Sequence, residues 1–112
     1  MFSLGLEVHV SYKVFVDDNF HYMDVEERYA LGEFESLDIA IAKCKQIVDQ
    51  FLADSYEPNI TASELYLHYT SFGEDPFIIG PKSQCDPKRL FSAWDYARRR
   101  CDEICEQSRE KT

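Results

Sequence analysis

Positive charge is scarce in this chain. Lysine and arginine number 12 against 21 aspartates and glutamates, and glycine and proline are limited to four each in 112 residues. The resulting formal charge of −9 opposes any general attraction to a phosphate backbone, so nucleic acid is not the expected partner. No apolar run approaches the roughly 20 residues needed to cross a bilayer. The opening MFSLGLEVHVSYK has neither a basic n-region nor a small-residue cleavage site, so neither a membrane span nor a leader is expected. A glycine-rich phosphate loop, a GxSxG elbow and an HExxH pair are all missing, which removes the commonest signatures of phosphate, acyl and zinc-hydrolase chemistry. Cys44, Cys85, Cys101 and Cys105 include no CxxC pair and no disulfide-like spacing. Free thiols in a reducing, cytoplasmic setting are the expectation.

What is present is the composition of a folded globule. Apolar residues make up 45% and aromatics 14% of the chain. A single domain over residues 1–112 is expected, with a frayed tail from about 107. The charge is uneven: residues 1–80 hold 15 acids and 4 bases, a balance of −11, whereas residues 81–112 hold 6 acids and 8 bases, a balance of +2. The C-terminal segment therefore has an acidic surface to face, within one chain or across two.

The periodicities predict an α+β fold. From Glu7 to Val16 the apolar residues Val8, Val10, Tyr12, Val14 and Val16 alternate with polar ones, with Phe15 as the exception. This is the signature of a strand with one buried face. Arg28–Phe34 is a second strand. Ser36 is an N-cap for an amphipathic helix to about Ala53, with Leu37, Ala40, Ile41, Cys44, Ile47, Val48, Phe51 and Leu52 on one side. Residues 61–73 are ambiguous, because Leu65, Leu67 and Tyr69 alternate as in a strand. The capping box of Thr61 and Glu64, with Gly73 as a stop, favours a short helix with Leu65, Tyr66, Tyr69 and Phe72 on one face. Pro76–Ile79 reads as a brief strand. Ser92 caps a last helix with a stripe of Trp94, Ala97, Cys101, Ile104 and Cys105. The economical assembly is a small antiparallel sheet of about three strands, with two long helices and one short helix packed on one face.

VDDNFHYMDVEERYALGEFES, YTSFGEDPFI and FSAWDYARRRC together resemble a family of small, conserved and uncharacterised bacterial proteins. The resemblance covers residues 12 to 105. It implies a bacterial cytosolic protein and carries no activity or residue role with it.

The segment from Val14 to Phe34 holds the most conspicuous chemistry. Asp17, Asp18, Asp24, Glu26 and Glu27 surround His21. An EF-hand is excluded, because a loop starting at Asp17 would need glycine at Tyr22 and glutamate at Arg28, and one starting at Asp18 would need them at Met23 and Tyr29. A looser divalent site could use Asp17, His21 and Asp24. The plainer reading is a solvated connection whose charges protect a strand edge. Phe20, Tyr22 and Met23 sit among these charges, where they could tuck onto the sheet or form a contact surface. FGEDPF, residues 72 to 77, is a second acidic and aromatic stretch, and two such loops at one end of a sheet could converge.

The cysteines also admit two readings. Cys101 and Cys105 share a helix face and Cys44 could approach them as zinc ligands, but all three lie on stripes that packing already demands. Cys85, in an expected loop, is the thiol best placed to react, though nothing near it in sequence argues for a lowered pKa, and a couple of Cys85 with His68 has nothing for or against it. Arg98, Arg99 and Arg100 splay around a helix, which suits pairing with the acidic half, or anchoring a dimer, better than one nucleic-acid patch.

The expected function is thus a non-enzymatic, acidic intracellular binding or adaptor domain, in which a protein or a second copy of the chain is the partner and no cofactor is needed. Its expected surface is Asp17, Asp18, Phe20, His21, Tyr22 and Asp24 beside Phe72, Glu74, Asp75 and Phe77. The alternative is a divalent-metal-dependent hydrolase built on the acidic loop 17–27.

Overall fold

A computed structural model of the chain describes residues 11–21, 28–80 and 90–110. Strand β1 (Tyr12–Asp18) ends in a single 3-10 turn, Asn19–His21, and is followed by β2 (Tyr29–Phe34). Helices α1 (Leu37–Ser55) and α2 (Ala62–Phe72), strand β3 (Glu74–Ile79) and helix α3 (Ala93–Glu110) complete the order. The sheet is antiparallel with β1 between β2 and β3.

Strand parity divides the sheet into two faces. Val14 and Val16 are fully buried and pair with Ile78 and Pro76, also fully buried, beneath the helices. This inner face meets Ala40, Cys44, Val48 and Leu52 of α1, Leu65 and Tyr69 of α2, and Ala93, Ala97, Cys101 and Cys105 of α3. The one-in-four spacing on α1 keeps a narrow apolar stripe aimed at the strands. On the outer face Phe15, the residue that breaks the alternation, stacks on Phe77 with ring centroids 5.8 Å apart. Arg28 lies over the Phe77 ring at 5.0 Å, which shields the pair from water.

The helix ends follow their capping residues. Ser36 accepts from the Ile39 backbone N–H at 3.4 Å, and Ser92 from that of Asp95 at 3.3 Å. The Thr61–Glu64 box is complete, with the Glu64 N–H on Thr61 Oγ1 at 3.1 Å and the Thr61 N–H on Glu64 Oε1 at 3.0 Å. The α1–α2 connection turns at Asn59, whose φ of 73° is left-handed, a region asparagine tolerates better than most residues.

Three sequence expectations need correction. Asp17 and Asp18 are the last residues of β1, not loop residues, because they pair in register with Asp75 and Glu74, which open β3. The strand thus runs two residues past Val16. On α3 the stripe keeps Ala97, Cys101 and Cys105 inside as expected, but at its start Ala93 and Tyr96 are buried while Trp94 is 37% exposed. The Tyr96 hydroxyl reaches the Asp49 carboxylate of α1 at 2.9 Å, and this bond fixes Tyr96 on the inner side. Phe72 shares the helical face of Leu65 and Tyr69 yet is exposed, since it lies at the last turn of α2, beyond the inner layer. Helix α3 runs to Glu110. Val8, Val10, His9, Cys85, Lys88 and Arg89 lie outside the described residues.

Candidate functional site

Asn19 is the hinge on which the site is built. It is buried, and its backbone N–H donates to the Gly73 carbonyl at 2.9 Å. Its side-chain amide donates to the Tyr69 carbonyl at 3.0 Å and accepts from the Trp94 indole N–H at 3.2 Å. One side chain thereby ties the end of β1 to the end of α2 and the start of α3. Asp18 Oδ1 accepts the Phe20 N–H at 2.8 Å and closes the turn that follows.

That turn places Phe20 against Phe72. Their rings stack with centroids 5.5 Å apart and planes 24° apart. His68, one turn back on α2, has its ring centroid 6.0 Å from that of Phe72. The pair stays open to solvent, with Phe20 62% and Phe72 55% exposed. Behind the pair, Gly73 packs directly on Tyr69: a Cβ there would lie 2.5 Å from a ring carbon of Tyr69 and 2.8 Å from its carbonyl oxygen. Tyr69 itself is buried, donates to the Glu74 carbonyl at 2.7 Å, and has its hydroxyl pKa pushed upward chiefly by that burial.

The carboxylates sort by face. Asp17 stands opposite Asp75, and Asp18 opposite Glu74, so two like-charge pairs are adjacent at one end of the sheet. Such pairs repel unless something answers them. Arg28 answers Asp17 through a two-pronged contact of 2.6 and 3.2 Å. The Tyr29 hydroxyl donates to Glu74 Oε2 at 2.8 Å, and its pKa is pushed up to about 12 by burial first and by Glu74 second. Of the residues expected to act together, Phe20, Phe72, Asp18 and Glu74 do meet at this end. Asp17, Asp75 and Phe77 share the outer parity with Arg28 and Phe15. Tyr22 and Asp24, with Met23, Glu26 and Glu27, lie outside the described residues, and the His21 backbone closes the 3-10 turn.

The remaining charged cluster is structural. Arg100 donates to Asp49 at 3.0 Å and to Glu103 at 2.6 Å, while Arg98 lies 4.9 Å from the centre of the Tyr66 ring. The arginines do splay toward different neighbours, and Arg100 meets the acidic half within the same chain. Cys44, Cys101 and Cys105 are buried thiols, and Cys105 Sγ donates to the Ile60 carbonyl at 3.6 Å. Burial pushes the Cys44 and Cys101 thiols up to about 12, as expected of core-filling residues. Among the described residues, no three His, Cys, Asp or Glu side chains are grouped so as to hold a metal ion. Likewise, no described helix is long and apolar enough to cross a membrane.

Sequence reasoning picked out Phe20 and Phe72 but missed Asn19 and Trp94. The one signal for them was composition: an asparagine among aspartates, and the single tryptophan, each needing a buried partner. No family model, no curated protein and no solved structure matches the chain.

Proposed function

We propose that the chain is a non-enzymatic protein-binding or adaptor domain whose contact surface is the Phe20–Phe72 pair, bordered by His68 and Trp94 and by the carboxylates of Asp18 and Glu74. The observation that carries this reading is that two large aromatic side chains stack on each other yet stay more than half exposed on a backbone pinned by Asn19. A solvated turn needs neither ring, whereas rigid aromatic anchors are what protein interfaces concentrate at their centres. An intracellular, cytoplasmic setting fits the three buried thiols. Self-association through the same patch is the form of this function in which the partner is a second copy.

The test is a photo-crosslinking amino acid placed at position 72, with position 67 as control. Leu67 is also exposed, but it points from the side of α2 opposite Leu65. Expression in cells should give discrete protein adducts from position 72 and none from position 67. Equal or absent adducts at the two positions would sink the reading. The divalent-metal hydrolase alternative would require Asp17 to give up its contact with Arg28. A rise in melting temperature with magnesium, manganese, zinc or calcium that Asp17→Asn/Asp24→Asn abolishes would restore it.

A further inference from the structure

We infer that the seam between α1 and α3 holds a second site, which takes a small phosphomonoester of a polyhydroxy compound. The site uses none of the residues of the Phe20–Phe72 surface. Helical spacing builds it. Lys45 and Asp49 lie one turn apart on α1, and Tyr96, Arg99, Arg100 and Glu103 follow at three- and four-residue steps on α3. These six residues line an open groove of about 420 Å³, a size that admits a small molecule. The Lys45 ammonium lies 5.3 Å over the Tyr96 ring, which draws it into the groove rather than out to water. Asp95 and Asp102, on the turns either side of Arg99, line no part of the groove.

The groove brings three cations together in a chain whose formal charge is −9. Its two carboxylates are both spent on one of them. Arg100 Nε donates to Asp49 at 3.0 Å and Nη1 to Glu103 at 2.6 Å, and neither pair uses Nη2. Asp49 also accepts the Tyr96 hydroxyl, 2.9 Å from each of its oxygens. Lys45 and Arg99 make no ion pair among the described residues. Two cations outside any pair, and the open edge of a third, suit a group with more than one charge and several acceptor oxygens. A phosphomonoester carries about −1.5 to −2 charges and three such oxygens, whereas a carboxylate has a single charge and only a pair of oxygens. Arginine meets phosphate as a planar fork and lysine as a point charge. The rest of the ligand is polar, because the one aromatic wall, Tyr96, is buried and covered by Lys45. Glu103 meets Arg100 through Oε1, so its other oxygen can accept from a ligand hydroxyl.

The probe is glycerol phosphate, titrated into the isotope-labelled full chain and followed by amide chemical shifts. Glycerol, inorganic phosphate, succinate and a phosphoserine peptide are the comparators. Saturable shifts should centre on the turns that carry Lys45 and Tyr96–Glu103. Lys45→Gln and Arg99→Gln should each weaken binding about tenfold. Lys43→Gln makes the same charge change at an exposed position of α1 outside the groove, and should leave binding unchanged. Both groove variants replace exposed side chains that make no ion pair among the described residues, so the fold is retained. Glycerol and succinate should bind at least tenfold more weakly than glycerol phosphate. No saturable shift, shifts centred elsewhere, or equal weakening by Lys43→Gln would overturn the site. Succinate binding as tightly would make it a general anion patch, and inorganic phosphate binding as tightly would show that the polyhydroxy part contributes nothing; either would overturn the assignment. Tightest binding by the phosphoserine peptide would identify a protein ligand and overturn it too. None of these outcomes bears on the protein-binding reading, which the adducts at position 72 decide.

Discussion

At the scale of single residues, Asn19 matters more than its size suggests. Both ends of its side-chain amide are used, one on the Tyr69 carbonyl and one on the Trp94 indole. Alanine there would leave a buried carbonyl short of a donor and the indole N–H without its protein acceptor. We expect Asn19→Ala to cost about 1–3 kcal/mol of unfolding free energy, read from urea denaturation, together with loss of the fixed Phe20–Phe72 stack. A near-silent Asn19→Ala would mean that water replaces the amide and that the turn is held by backbone bonds alone. The site was half legible at this scale. Phe20 and Phe72 were conspicuous as apolar residues among acids, but their contact spans 52 positions of sequence, the difference between 72 and 20. No periodicity encodes a contact at that separation. Asn19 was invisible, because asparagine at a strand end reads as a turn residue and its burial arises only when α2 and α3 arrive.

At the scale of elements, local chemistry was the better guide. The 61–73 stretch carries both a strand-like alternation and a complete capping box, and the box prevailed because Glu64 and Thr61 satisfy each other's N–H groups. Helix α2 has only 11 residues, too few to be stable in isolation, so its start depends on that cap. Thr61→Ala should destabilise the protein by about 0.5–2 kcal/mol. The effect should appear in hydrogen exchange as faster opening of α2 than of α1; uniform acceleration would show that α2 does not open separately. The carboxyl of Glu64 is held below its usual range by the Thr61 N–H and hydroxyl. The cap therefore contributes fully above the ordinary glutamate range and fades as pH falls through the lowered value. The orientation at the start of α3 was not legible. Trp94 and Tyr96 are both large amphipathic side chains, and which one faced inward was decided by where a carboxylate on α1 and an amide on the 3-10 turn happened to lie.

At the scale of the whole molecule, the buried hydroxyls and thiols set an upper limit on pH. Tyr96 is raised from 10 to about 12, Cys44 and Cys101 from 9 to about 12, and Tyr69 is raised as well, mainly by burial in each case. A raised acid keeps its proton in the folded state after the unfolded chain has lost it. These groups thus stabilise the fold fully below about pH 9 and progressively less as pH climbs toward 12. The melting temperature should accordingly drop across that window, and Tyr96→Phe should remove part of the slope. A flat profile from pH 9 to 11 would contradict the burial described. The α+β architecture, with helices on the inner face, was legible because Val14 and Val16 alternate on β1 and the helical stripe repeats every four residues on α1. The sorting of acids between two faces was not, since it depends on the β1–β3 register.

The chain contains one tryptophan, and Trp94 stands with its indole nitrogen on Asn19, the immediate neighbour of Phe20. The molecule thus carries its own optical reporter beside the surface on which its function is proposed to rest. With no label attached, emission excited at the indole band would shift to the blue as a ligand covered the aromatic pair. It would shift to the red if the 3-10 turn came loose. One cuvette and one wavelength scan therefore distinguish docking from local unfolding, because the two events move the same spectrum in opposite directions.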